Sequence, residues 1–255
     1  MGSFLKDKTC VISGAQSGIG AAIAERFAGE GARVVGLDID GGDREESGIR
    51  LLAGSVTEEK DVRRAIAEAI DWGGSLDVYV NNAAIQIECG LLDTSVEDFD
   101  RVMAVNLRGV FIGTREAAAA MGPGGSIVNV GSALGLTGDP LLTAYCASKG
   151  GVVNLTRAAA VNVGTSGVRV NCLCPGAVAT PLMTRMWDMA DDPAAARRQM
   201  ESAYPMGRIV EIDEVAKGAM FLASDLASAV TGAVLSVDCG LTAANPEFVS
   251  VQALQ

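Results

Sequence analysis

The chain contains no histidine. That absence excludes Ser-His-Asp hydrolysis, Cys-His nucleophilic chemistry and any metal mechanism that needs an imidazole ligand. Its six cysteines (Cys10, Cys89, Cys146, Cys172, Cys174 and Cys239) form no C-x-x-C pair, so buried reduced thiols are expected and no metal site. No window of about 18 to 20 uninterrupted apolar residues occurs, which argues against a membrane span. The opening MGSFLKDK lacks the apolar stretch of a signal peptide, and Lys6 stands where a myristoylation motif wants Ser or Thr. A cytoplasmic location is the expectation. Positive charge is scarce: 20 Lys and Arg against 31 Asp and Glu leave a formal net charge of -11. That balance disfavours nucleic acid, whose binding draws on cations against phosphate. Pro- or Ser-rich linkers, low-complexity tracts and repeats are also missing, so residues 1–255 read as one domain.

What is present is an alternation of two periods. Short β-branched runs (TCVIS, RVVGLDI, LDVYVNN, SIVNVGS and AVLSVD at 233–238) alternate with longer helical stretches such as GIGAAIAERFAGEG, EEKDVRRAIAEAI and residues 97–121. Val34, Val35, Val78, Val80, Ile127, Val128 and Val130 lie in near-continuous apolar runs, as strands covered by helices on both faces do. The fold class expected is therefore α/β, a Rossmann-like doubly wound parallel sheet. The least regular stretch, 181–205, holds Met183, Met186, Trp187 and Met189 among Asp and Arg residues and is a candidate substrate lid. Residues 242–255 form a partly apolar C-terminal tail, expected to pack on a neighbouring subunit.

After the first strand, Ser13-Gly14-Ala15-Gln16-Ser17-Gly18-Ile19-Gly20 leads straight into a helix. Glycines at 14, 18 and 20 permit a sharp turn and let a pyrophosphate approach the N–H groups at the helix start, although three glycines after a strand also suit a bare turn. Asp38 ends the second strand 18 residues beyond Gly20, where a carboxylate can accept from both ribose hydroxyls and repel a 2′-phosphate. Gln16 and Ser17 offer no cation to offset that repulsion, so NAD is expected rather than NADP. The alternative is a solvated strand end before the turn IDGGD.

Tyr145 and Lys149 stand four apart in AYCASKGGVVNLTRAAAVN, a helical segment, and so share one face. A phenol with a reference pKa of about 10 is a poor base at neutral pH, and a nearby ammonium favours its ionised form. Y-x-x-x-K also arises by chance on surfaces, so context has to decide. Ser132 closes IVNVGS 13 residues earlier, where a hydroxyl at a strand's C-terminal end faces the cofactor crevice, and Asn106 adds an amide in the helix before it.

Jointly, SGAQSGIG at 13–20, NNAA at 81–84, Asn106, Ser132, Tyr145-Cys-Ala-Ser-Lys149 and Pro175-Gly-Ala-Val-Ala-Thr-Pro181 resemble the short-chain dehydrogenase/reductase family, in its single-domain branch of roughly 250 residues, from about Lys6 to Leu241. The resemblance implies a Ser-Tyr-Lys-Asn constellation. In it Tyr145 exchanges the proton, Ser132 orients the substrate oxygen, Lys149 binds the nicotinamide ribose and depresses the Tyr145 pKa, and Asn106 holds a relay water. It also implies that Asn82, Ala83 and Ala84 border the adenosine ribose and that Val178 and Thr180 contact the carboxamide. Ile19, Ile39, Ser55, Val56, Pro175 and Gly176 complete the expected cofactor set. Family members are usually tetramers or dimers, so a homotetramer (or dimer) is implied. The chain departs from the family at Ser13 (usually Thr), Ala84 (usually Gly), Ser55 (commonly an adenine-binding Asp) and Cys239 (usually Gly).

By position, Gln86, Cys89, Ser132, Leu134, Tyr145, Gly176, Met183, Met186, Trp187 and Tyr204 could meet substrate. A mainly apolar lining suits an apolar or cyclic secondary alcohol, unless these side chains close the core or an interface. Arg185, Arg197 and Arg198 leave open a hydroxy-acid substrate, yet Asp188, Asp191, Asp192 and Glu201 between them suit surface pairing. The further alternatives are a sugar or polyol dehydrogenase and a 3-oxoacyl-carrier-protein reductase, the latter opposed by Asp38 and by the acidic net charge.

Overall fold

The computed structural model describes residues 3–40 and 42–245; the expected subunit contact of the tail falls, from 246 onward, outside the described residues. Chain order runs β1 (Thr9–Ser13), α1 (Gly18–Gly29), β2 (Arg33–Asp38), β3 (Arg44–Glu46), β4 (Ile49–Ala53), α2 (Glu59–Gly73), β5 (Val78–Asn81), α3 (Val96–Met103) and α4 (Gly109–Ala120). It continues β6 (Ser126–Val130), α5 (Thr143–Val163), β7 (Arg169–Pro175), α6 (Pro181–Asp188), α7 (Pro193–Glu201), α8 (Ile212–Ala223) and β8 (Val234–Val237). The strands form one sheet in the order β3-β4-β2-β1-β5-β6-β7-β8, parallel throughout except where β3 meets β4.

Alternation along the strands explains why their apolar runs are nearly continuous. Ile12, Val34, Val80 and Val128 face one layer, with Ile23 and Phe27 of α1 and Ala216 and Ala219 of α8. Their neighbours Val11, Val35, Tyr79 and Ile127 face the other, with Val62, Ala65, Ile66 and Ala69 of α2 and Ile112 and Ala117 of α4. Both faces are dry, so most strand positions are apolar whichever way they point, and buried polar ones such as Asn81 and Asn129 hydrogen-bond to each other. Among the described residues no helix is long and apolar enough to cross a membrane.

Three local features differ from the sequence reading. β3 and β4 form a hairpin between Asp38 and α2, closed by Ser47 and Gly48, both at positive φ (53° and 76°). The stretch 97–121 is not one helix: Ala104–Arg108 is a π turn between α3 and α4, and Asn106 sits in it. The irregular stretch 181–205 carries two short helices, each with Pro at its start and capped by Thr180 or Asp192. Trp187 and Tyr204 turn inward to the core that holds Val178 and Val210, while Met186 and Met189 stay exposed.

Cys239 adopts φ 50°, the left-handed region in which glycine is free and other L residues are strained. This accounts for the glycine usual at that position. Cys239→Gly and Cys239→Ala both lose the buried thiol, but only the first relieves the backbone. The glycine variant is expected to be the more stable by about 1 kcal/mol, a difference of about 2–4 °C in thermal melting.

Candidate active site

The loops that follow β1, β2, β5, β6 and β7 gather at one edge of the sheet, where the strands end. The chain leaves β1 toward β2 on one side and returns to β5 on the other, so a crevice opens between the ends of β1 and β5. The sequence-derived site residues line this edge.

The turn after β1 is shaped by close backbone contacts. Gly14 and Gly18 have φ of 68° and 56°. A Cβ on Gly20 would lie 1.9 Å from the Gly14 carbonyl oxygen and 2.5 Å from Asn82 Nδ2, whereas one on Gly18 would meet nothing within 4 Å. Asn82 holds the turn, donating through Nδ2 to the carbonyls of Ser13 (3.0 Å) and Gly14 (3.1 Å). The Ser13 hydroxyl accepts from the N–H groups of Asn82 (3.0 Å) and Ala83 (3.2 Å), so the change from Thr keeps the group that matters. Ala84 is exposed and outside the left-handed region, so its methyl meets no backbone strain. Ser17 begins α1 without a side-chain cap, and no acidic residue lies in the first turn. An uncapped helix start with open space over Gly18 suits a pyrophosphate.

Asp38, half-buried at the end of β2, accepts from Gln16 N (2.9 Å) and Asp40 N (3.1 Å). Ile39 is exposed beside it. Ser55 N donates to Asp61 Oδ2 at 2.9 Å, so a carboxylate from α2 holds the turn in which Ser55 replaces the family's Asp. The Val56 side chain is buried, and a Cβ on Gly109 would lie 2.9 Å from its Cγ2.

Tyr145 and Lys149 share a face of α5 as the spacing predicts. The Ser132 hydroxyl stands beside the Tyr145 phenol and acts to lower its pKa, and Lys149 Nζ lies 5.6 Å from the centre of the Tyr145 ring. Lys149 is buried and donates to the Val130 carbonyl at 2.8 Å. Burial pushes its pKa down to about 8, against smaller opposing effects of the Cys172 and Cys174 side chains. Lys149 does not depress the Tyr145 pKa as the family resemblance implies. Burial raises the Tyr145 pKa, the neighbouring Ser132 hydroxyl only partly offsets it, and the ammonium is directed at Val130.

Asn106 is fully buried in the π turn. Its Oδ1 accepts from Ile85 N (2.8 Å), and Nδ2 donates to Ile85 O (2.9 Å) and Ser148 Oγ (3.2 Å). The side chain therefore ties the loop after β5 to the first turns of α5. Sequence reasoning missed these partners, although an Asn in an apolar helix is a signal that its amide must be satisfied locally.

After β7, Pro175 is buried and a Cβ on Gly176 would lie 3.1 Å from Tyr204 Cε1. Ala177 N donates to Tyr204 Oη at 2.9 Å, and Val178 pairs with Val210, so Tyr204 and Trp187 support this loop from the core instead of lining an open pocket. Thr180 caps α6. Cys89 N donates to Leu141 O at 2.7 Å, tying the loop after β5 to the segment before α5, and Leu91, Leu92 and Leu141 are exposed. Arg197 is engaged by Glu201 (2.8 Å) and stacks on Trp187.

A family model described as Enoyl-(Acyl carrier protein) reductase matches residues 14–242. The chain is 39% identical to 2-(S)-hydroxypropyl-CoM dehydrogenase 3 of Xanthobacter autotrophicus, over 95% of this chain and 100% of that one. It is 41% identical to cis-4-hydroxycyclohexanecarboxylate dehydrogenase of Sinomonas cyclohexanicum, again over 95% and 100%. The structure of ligand-free aldohexose dehydrogenase from Thermoplasma acidophilum superposes with a TM-score of 0.89 at 33% identity, covering 96% of this chain and 98% of that one. With the sheet order, the glycine turn and the Ser132–Tyr145–Lys149 cluster in place, these likenesses establish that the chain belongs to the short-chain dehydrogenase/reductase family of oxidoreductases.

Proposed function

We propose that the chain is an NAD-dependent dehydrogenase that interconverts an apolar or cyclic secondary alcohol and its ketone, with Tyr145 as the acid and base. The observation that carries this reading is the cluster of Ser132, Tyr145 and buried Lys149, whose Nζ lies 5.6 Å from the Tyr145 ring, on the same sheet edge as the open glycine turn. Gly14, Gln16, Ser17, Gly18, Ile19 and Gly20 would hold the pyrophosphate, and Asp38 the adenosine ribose. Ile39, Ser55, Val56 and Asn82 to Ala84 would border the adenosine, and Pro175, Gly176, Val178 and Thr180 the nicotinamide carboxamide. When bound, NAD supplies the hydride acceptor.

The residues then have only to orient the alcohol and move one proton. Ser132 holds the substrate oxygen against the Tyr145 phenol, which takes the hydroxyl proton in oxidation and returns it in reduction. Lys149, its ammonium held by the Val130 carbonyl beside the Tyr145 ring, anchors the nicotinamide ribose. Both amide atoms of Asn106 are already engaged, so the relay water assigned to it falls to its main-chain carbonyl, in a turn with widened bonding.

The substrate class rests on the exposed apolar side chains Leu91, Leu92, Leu141 and Met186, carried on the loop after β5, the segment before α5 and helix α6, and on relatives named for a cyclohexane alcohol and a hydroxypropyl group. Helices α6 and α7 would form the lid. A groove of about 700 Å³ on the outer side of α3, α4 and α5, lined by Met103, Leu107, Phe111 and Leu155, supports assembly as a homotetramer or dimer. A cytoplasmic location and the lack of a nucleic-acid partner accord with the charge balance. The family model's description favours a second reading, reduction of a carrier-bound acyl substrate. Asp38 opposes its usual NADPH, and a net charge of -11 opposes an acidic carrier protein.

The test is a panel of secondary alcohols, cyclic diols, polyols and hydroxy acids, assayed with NAD and NADP by absorbance of the reduced cofactor. Turnover of cyclic alcohols with NAD is expected. Turnover of sugars alone would refute the apolar pocket, and a large preference for NADP would favour the carrier-linked reductase.

A further inference from the structure

The glycine turn and its flanks supply no cation near Asp38, but the fold brings one from elsewhere. β3 pairs antiparallel with β4, placing Arg44 opposite Leu51 and Glu45 opposite Arg50. Ser47 and Gly48, both at positive φ, make the two-residue turn that fixes this register. Side chains alternate across the ladder. Leu51 faces the glycine turn, since a Cβ on Gly36 would lie 2.5 Å from Leu51 Cδ2 and 2.7 Å from Ala15 Cβ. Arg44, its cross-strand partner, shares that face. Glu45 and Arg50 share the other, where Arg50 pairs with Glu68 and covers the Trp72 ring. The start of β3 is pinned as well: Asp43 accepts from Ala53 N at 2.8 Å and pairs with Arg64 at 2.9 Å.

The outcome is a short chain of contacts. Arg44 Nη2 donates to Gln16 Oε1 at 2.8 Å, and Gln16 N donates to Asp38 Oδ2 at 2.9 Å. A guanidinium and a carboxylate are thus held on two ends of one residue, at the place proposed for the adenosine ribose.

We propose that Arg44 is a specificity-determining residue for the cofactor, a cation on the 2′ side of the adenosine ribose that opposes the exclusion of a 2′-phosphate by Asp38. This rests on the NAD reading of the site. A ribose diol is recognised by acceptance at Asp38. A 2′-phosphate is repelled by that carboxylate and attracted by the guanidinium, whose planar fork suits phosphate oxygens. Discrimination between the two cofactors is then a difference between two opposing contacts, and each can be removed separately.

The experiment is direct binding of NADH and NADPH, followed by nicotinamide fluorescence, to the full-length protein and to Arg44→Ala, Arg44→Lys, Asp38→Asn and the double variant. The readout is the ratio of the NADPH Kd to the NADH Kd. Arg44→Ala should raise that ratio by about tenfold, with Arg44→Lys between it and the wild type. Asp38→Asn should lower it by about a hundredfold, and adding Arg44→Ala should reverse at least about tenfold of that gain. The same ratio with and without Arg44, in both backgrounds, overturns the proposal. A wild type that prefers NADPH defeats the NAD reading while leaving the Arg44 effect measurable, and a wild type that binds neither dinucleotide defeats both.

Discussion

Gly20→Ala should lose at least about a hundredfold in NADH affinity and melt at least about 6 °C lower than the wild type. The added methyl would lie 1.9 Å from the Gly14 carbonyl oxygen and 2.5 Å from Asn82 Nδ2, and the first of these is backbone in the turn itself. Alanine normally gains about 1 kcal/mol over glycine inside a helix, but overpacking of this kind costs about 3 kcal/mol, so the clash wins. Relief requires Gly14 to move away, and with it the turn that opens the helix start to a pyrophosphate. Binding and melting should therefore fail together. An unchanged NADH Kd would mean that the glycine turn is not the dinucleotide cradle.

Tyr145→Phe should lower turnover by about a thousandfold while the protein still binds NADH. The variant keeps the ring and its packing on α5 and removes only the hydroxyl that Ser132 contacts. With no histidine in the chain, no imidazole is available to take over the proton. The size of the loss, about 4 kcal/mol in the barrier, is that of one general acid-base group, and binding contacts made elsewhere in the crevice are untouched. A loss of NADH affinity equal to the loss of turnover would instead place Tyr145 in cofactor binding.

How far the site was legible depended on the range of the interactions that build it. Asp38 at the end of β2 and the shared face of Tyr145 and Lys149 follow from strand and helix periods, which are local and strong. The π turn at Asn106 leaves no such trace, because one widened turn shifts the register without changing the apolar pattern on either side. β3 was invisible for another reason. Arg-Glu-Glu has no alternation of apolar and polar residues, as suits a short charged strand at a sheet edge. Missing that hairpin hid Arg44 from Gln16, 28 residues away in sequence. Trp187 and Tyr204 sit among charged residues, yet the core that takes them is assembled from Val178 and Val210 across the chain. The direction of the Tyr145 pKa likewise depends on burial, which no i,i+4 spacing reports.

The central claim is that one phenol carries the proton of alcohol oxidation. It is tested most directly by kcat/KM for a cyclic secondary alcohol with NAD, measured from about pH 6 to about pH 10 on wild type and Tyr145→Phe. Burial raises the Tyr145 pKa, so the reactive phenolate becomes more abundant as the pH climbs. The wild-type oxidation rate should rise across this interval, and the variant should stay flat and about a thousandfold lower. A variant that keeps both the wild-type rate and its rise with pH would contradict the claim.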